Sequence, residues 1–158
     1  MHYYNNDGSD AELCVNGVRC VAKFALDNNY LDVPRFIVKA PVGDLEVYVD
    51  DNIVEVSTPI PTYEDEKINI NSFKGVKSLV GNPHFMIEVE DVDGLDLENL
   101  NSEVVNKNIF PDGVNVEIYQ IVSRNYIKAR VFERGVGETD ACGSGAPVSY
   151  THLTLPTK

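Results

Sequence analysis

The sequence predicts an α+β protein built as two units, and three observations carry that expectation. A helix-patterned segment is followed by residues with the period-2 alternation of half-buried strands. The second half of the chain then repeats the same mixture. Between the halves, Thr58 to Asn71 holds two prolines and the acidic run Glu64-Asp65-Glu66, and reads as a linker with a solvated turn.

In chain order, Asn5 to Gly8 reads as a turn, because Asn-Asn-Asp-Gly collects residues that tolerate tight backbone angles. A helix is expected from about Asn16 to Leu26. Val18, Val21, Ala22 and Ala25 fall on one face of it, Arg19 and Lys23 point elsewhere, and Asp27-Asn28-Asn29 ends it. Arg35 to Ala40 is a candidate strand. After a turn at Gly43, Leu45, Val47 and Val49 alternate with Glu46, Tyr48 and Asp50, and Asp51-Asn52 turns the chain into Ile53 to Ser57 as a hairpin. Beyond the linker, Lys77 to Val80 and Phe85 to Val89 flank a Gly81-Asn82-Pro83-His84 loop. Glu88 to Asp93 reads as a strand end running into a turn. Leu97, Leu100, Val104 and Val105 predict a short helix closed before Pro111. Asn115 to Val122 and Tyr126 to Glu133 form a hairpin pattern around Ser123-Arg124-Asn125. The chain then enters Gly135-Val136-Gly137 and a Cys142-Gly143-Ser144-Gly145-Ala146 turn.

Composition narrows the function classes. With 43% apolar and 24% charged residues, the chain has the make-up of an ordinary globular protein. The 25 acidic and 13 basic side chains leave a net charge of -12, a field that repels a phosphate backbone and argues against nucleic acid as a partner. No run approaches the roughly 18 apolar residues of a membrane span. Met1-His2-Tyr3-Tyr4-Asn5 lacks the basic and apolar regions of a signal peptide, so the expectation is a cytoplasmic protein without a membrane partner. Three cysteines, an odd number, do not make a disulfide framework. Five residues separate Cys14 from Cys20 and His2, His84 and His152 form no pair, so no metal site is expected.

A cysteine at a glycine-containing turn recurs in both halves, as Cys14-Val15-Asn16-Gly17 and as Cys142-Gly143-Ser144-Gly145. Each sits where a loop would enter a helix. Unpaired N–H groups there favour an anion, whether a thiolate or a substrate carboxylate, and glycine lets the backbone come close. The bland alternative for either site is a buried, inert thiol. Two thiols facing one another could remove an α-proton from one side of an amino acid and return one on the other. His84 could accept a proton from one thiol, and Glu133, nine residues before Cys142, from the other. On spacing alone, a lone histidine or glutamate is more often structural than catalytic.

These residues resemble a known family. The run from Asn5 to Cys20, Asn-Asn-Asp-Gly-Ser-Asp-Ala-Glu-Leu-Cys-Val-Asn-Gly-Val-Arg-Cys, is similar to the first active-site segment of diaminopimelate epimerases. Glu133 to Ala146, Glu-Arg-Gly-Val-Gly-Glu-Thr-Asp-Ala-Cys-Gly-Ser-Gly-Ala, is similar to the second, with Gly81-Asn82-Pro83-His84 and Val114-Asn115 in order between them. The resemblance covers Tyr3 to Ala146. It implies interconversion of LL- and meso-2,6-diaminopimelate, a small-molecule amino-acid substrate of lysine and peptidoglycan precursor synthesis, with no cofactor, neither pyridoxal phosphate nor metal. Cys14 and Cys142 would be the acid/base thiols, His84 pairing with Cys14 and Glu133 with Cys142. Asn5, Asn82, Asn115 and Arg134 would hold the distal end of the substrate. Asn16, Gly17, Gly143 and Ser144 would place N–H groups around the carboxylate at the reacting carbon. Cys20 would be a core residue of the first helix. The implied fold is two similar units, each a curved antiparallel sheet around a central helix, and the implied assembly a homodimer.

Against that pattern the chain reads as an internal fragment, with residues 1–60 and 61–146 as incomplete units and 147–158 as a tail of foreign origin. Pro147, Pro156 and the β-branched Val148, Thr151 and Thr154 predict a poor helix, leaving the second sheet nothing to wrap and the fragment inactive. Val15 stands where the family carries glycine, and its branched side chain is expected to crowd the substrate or the backbone beside Cys14. The competing readings are a two-cysteine proline or hydroxyproline racemase, a non-catalytic amino-acid-binding relative, and a structural protein with incidental cysteines.

Overall fold

The computed structural model describes residues 1–5, 8 and 10–154, so that Asn6, Asp7 and Ser9 of the first motif and residues 155–158 of the tail lie outside the described residues. The chain divides into two compact units, Met1–Ile60 and Pro61–Lys158.

In the first unit, helix α1 (Val15–Asp27) precedes three antiparallel strands in the order β1 (Arg35–Ala40), β2 (Gly43–Asp50), β3 (Ile53–Val56). The expected alternation holds in β2, where Leu45, Val47 and Val49 are buried beneath the helix. Asp51 takes φ 49° at the hairpin turn, a region that Asp tolerates better than most residues. Val15, Val18 and Ala22 form the buried stripe of α1. Two expectations for this helix fail. Val21 is 44% exposed and Cys20 is exposed too, because the stripe runs through Val15, Val18 and Ala22 and Cys20 lies opposite it.

The second unit is one six-stranded sheet in sequence order: β4 (Thr62–Ile70), β5 (Phe73–Leu79), β6 (Pro83–Glu88), β7 (Asn115–Ser123), β8 (Tyr126–Glu133), β9 (Gly137–Thr139). All pairings are antiparallel except β6 with β7, which run parallel and are joined through helix α2 (Leu97–Asn106). Asp96 caps that helix, its side chain accepting from Asn99 N at 3.0 Å. Leu97, Leu100 and Val104 pack on Phe85, Ile87, Val116 and Ile118. These strand residues alternate with Met86 and Tyr119, which share the opposite side of the sheet with Val76, Val80 and Val148.

Two further expectations give way here. The linker expected over Thr58 to Asn71 is mostly strand: β4 pairs with β5, and its acidic run sits at a register shift between Tyr63 and Lys67. An edge strand keeps charge on its open side and breaks register there, so an acidic stretch is compatible with pairing. The poor helix expected after Cys142 is instead α3 (Gly145–Thr154). Pro147 falls in its first turn, where no intrahelical N–H bond is lost. Val148 is fully buried against β6 and β7, and the Tyr63 hydroxyl donates to Val148 O at 2.7 Å. The second sheet therefore has a helix on each face. Among the described residues, no helix is long and apolar enough to cross a membrane.

Candidate active site

Cys14 is the N-cap of α1. With φ -132° and ψ 92° it has left the helix, and its sulfur accepts from Gly17 N at 3.4 Å. A Cβ on Gly17 would lie 3.3 Å from that sulfur, so the missing side chain is what gives the thiol room against the helix start. The approach to the cap is held by Tyr3, whose hydroxyl accepts from Cys14 N at 2.8 Å and donates to Glu12 O at 2.9 Å. Burial pushes the Tyr3 hydroxyl up, although the Cys14 N–H acts in the other direction. Asn5 joins the same loop, its amide donating to Asp10 O at 3.4 Å. Asn16 is exposed in the first turn of α1. Cys14 itself is exposed. Val15 is 8% exposed and packed with Val18, Leu45 and Val47, so its side chain is a core contact.

In the second unit the parallel pairing of β6 and β7, with β8 beside them, gathers three strand ends. His84 is opposite Asn115 in register, and Val116 is opposite Phe132. His84 is fully buried, with Nδ1 2.8 Å from Glu117 Oε1 and Nε2 3.0 Å from Asn82 Oδ1. Asn115 spans the strand ends, donating to Pro83 O at 3.1 Å and accepting from Arg134 N at 2.9 Å. Arg134 donates to Asp112 O at 3.1 Å, and its stem lies over Gly113, where a Cβ would be 2.7 Å from Arg134 Cδ. Asn82, His84, Asn115 and Arg134 are therefore one polar cluster. The partners described for His84 all belong to this unit.

Cys142 lies beside the start of α3. Its sulfur is 3.3 Å from Ser144 Oγ, with Gly143 in the turn between and Gly145 opening the helix. Burial pushes the Cys142 thiol up. The bonds from Ser144 and Gly145 oppose this, and the charges of Glu133 and Glu117 add to it. Glu133 is fixed by Thr139, whose hydroxyl donates to it at 2.5 Å. A groove of about 880 Å³ opens beside the sulfur, lined by Ala129, Val131, Thr139 and Tyr150 among others. Chemically, one half offers an exposed sulfur on a helix start, and the other a buried thiol held in its protonated form.

Both halves thus place a cysteine three residues before a glycine at the start of a helix. The diaminopimelate epimerase profile matches residues 76–155, about half of the chain and through α3. The chain belongs to the diaminopimelate epimerase family. A diaminopimelate epimerase of Brachyspira hyodysenteriae is 38% identical over 92% of this chain, which spans 60% of that relative's length. The fold is also that of two solved proteins of low identity. A phenazine biosynthesis protein of the PhzF family from Bacillus anthracis superposes with TM-score 0.66 at 15% identity, over 98% of this chain and 61% of its own. A hydroxyproline epimerase from Agrobacterium vitis, solved with trans-4-hydroxy-L-proline, gives TM-score 0.62 at 13% identity over 89% and 52%.

Four contributors were not foreseen: Tyr3, Glu117, Thr139 and Ser149, whose hydroxyl donates to Glu117 Oε2 at 3.2 Å. Glu117 carried an ambiguous signal, since a carboxylate among Val114, Val116, Ile118 and Tyr119 fits the outward face of a half-buried strand as well as a paired buried site. The others stand in ordinary polar contexts and carry none.

Proposed function

We propose that the protein carrying this chain is a cofactor-independent epimerase of 2,6-diaminopimelate that works by two-thiol proton transfer. The observation that carries the reading is that each of two helix starts has a cysteine three residues before a glycine, Cys14 with Gly17 and Cys142 with Gly145. In one direction, Cys14 as thiolate takes the α-proton while Cys142 delivers its S–H proton to the other side of the same carbon. The products are the inverted centre, a Cys14 thiol and a Cys142 thiolate, so the reverse direction exchanges the two roles. The raised Cys142 thiol suits the donor role, and the exposed Cys14 at a helix start suits the acceptor. N–H groups of Asn16, Gly17, Gly143 and Ser144 are assigned to the carboxylate at the reacting carbon, and their place at two helix starts supports this. Asn5, Asn82, Asn115 and Arg134 are assigned to the distal amino-acid end, with His84 serving Cys14 and Glu133 serving Cys142. A cytoplasmic location and a homodimer belong to the same proposal, and light scattering tests the second.

The decisive test is incubation with LL-diaminopimelate in deuterated water, following the α-proton by NMR, with trans-4-hydroxy-L-proline as the comparison substrate. The expected outcome is exchange with inversion at diaminopimelate only, abolished in Cys14→Ala and in Cys142→Ala. Exchange that survives in either variant would end the two-thiol mechanism, and binding without exchange would make the chain an amino-acid-binding relative.

A further inference from the structure

Glu117 is a carboxylate on a strand whose pattern leaves no room for one. β7 is buried along Asn115-Val116-Glu117-Ile118-Tyr119, and Glu117 is 2% exposed. An ionised carboxylate at that depth is costly unless donors meet its oxygens. They come from two elements far apart in the chain. Oε1 lies 2.8 Å from His84 Nδ1 on β6, and since a carboxylate only accepts, Nδ1–H donates. Oε2 accepts from Ser149 Oγ on α3 at 3.2 Å. The start of α3 closes on the same group: a Cβ on Gly145 would lie 1.9 Å from Oε1, so glycine alone admits the carboxylate there. That same glycine stands three residues after Cys142, at the first position of α3.

We propose that Glu117 is a positioning residue, tying His84 to the first turns of α3 and so setting the Cys142-Gly143-Ser144 turn against the imidazole. In that role Glu117 acts through His84 and α3 rather than on the substrate. It fixes the ring orientation of one group and the helix start that backs the other. The proposal rests on the epimerase reading for what is being positioned. The charged and titratable groups around Cys142 are Arg130 and Glu133 from β8, Glu138 from β9, Asp140 from the turn and Tyr150 from α3, besides Glu117 itself. A change confined to Glu117 leaves all of these in place.

The test uses Glu117→Gln and Ser149→Ala in the 158-residue chain, with the pH profile of iodoacetamide alkylation at Cys142 and the ring ¹⁵N signals of His84 as readouts. Neither readout needs turnover, so a failed epimerase assay and a failed positioning role are separately visible. Glutamine keeps the shape and removes the charge. Cys142 is expected to alkylate roughly threefold faster near neutral pH, with the His84 Nδ1 signal shifted. Ser149→Ala does not touch His84, yet it is expected to shift that signal through the carboxylate. A folded Glu117→Gln variant with both readouts unchanged overturns the proposal, as does Ser149→Ala without a His84 shift. If Glu117→Gln fails to fold, the Ser149 result decides alone.

Discussion

Gly145 and Glu117 share a space that a single methyl group would fill. In an open helix, exchanging glycine for alanine gains about 1 kcal/mol. Here the new Cβ would meet Glu117 Oε1 at 1.9 Å, and the carboxylate is pinned by His84 and Ser149. Gly145→Ala is therefore expected to destabilise by about 1–3 kcal/mol in urea unfolding, against the helix trend. Tyr119 makes a second prediction at this scale. Burial, with the Glu88 charge behind it, pushes its hydroxyl from 10.0 up to about 12. The raised value means that its contribution to stability is intact below pH 10 and is lost as pH climbs through the window from 10 to about 12. Tyr119→Phe is expected to resist alkaline unfolding in that window better than the parent, as followed by circular dichroism. Residues differed in how openly they could be read. Cys14 was legible because it stands at a glycine-containing turn where a loop enters the expected helix, and the same arrangement recurs at Cys142. Glu117 was obscured because a carboxylate beside alternating apolar residues also fits the outward face of a half-buried strand. Only the covering of both faces makes it anomalous.

Among the elements, α1 and β9 bear the clearest expectations. Val15 begins α1 inside the core cluster, so Val15→Gly is expected to cost about 2 kcal/mol or more, read as a lower unfolding midpoint. That outcome would make the valine a packing choice, and a variant of unchanged stability would contradict it. Arg130 anchors β9 to the approach of α2. Its guanidinium donates to Glu138 at 2.6 and 2.9 Å, to Val92 O at 2.5 Å and to Leu95 O at 2.9 Å. Arg130→Met is expected to leave those carbonyls unmet and to lower stability by about 1–3 kcal/mol, with faster amide exchange in β9. The hairpins β2–β3 and β7–β8 were legible from alternation and turn residues, because both signals are local. β4 was not, since acidic residues at an edge bulge look like a solvated turn. Nor was α3, where burial of Val148 and the harmless position of Pro147 outweigh weak intrinsic propensity.

For the whole molecule, the net charge of -12 sets an expectation that no single contact does. Self-repulsion opposes compactness and is screened as the Debye length falls from about 30 Å at 0.01 M salt to about 8 Å at 0.15 M. Thermal midpoints are expected to rise across that range, and a fall would mean that attractive surface pairs such as Lys23 with Asp27 and Lys128 with Asp93 dominate. The division into two units was partly legible, through the repeated cysteine turn. The parallel pairing of β6 and β7 was not, because partner choice between distant strands leaves no local trace. That pairing has a consequence in time. The neighbouring hairpins close over short turns, but β6 and β7 can meet only after residues 89–114 have been drawn into a loop, the slowest kind of closure available to the sheet. His84 and Glu117 are separated by that same loop. A refolding chain should therefore form its hairpins first and keep the Cys142 sulfur open to reagents until the last pairing forms, so that pulsed alkylation during refolding would date the arrival of the reactive centre.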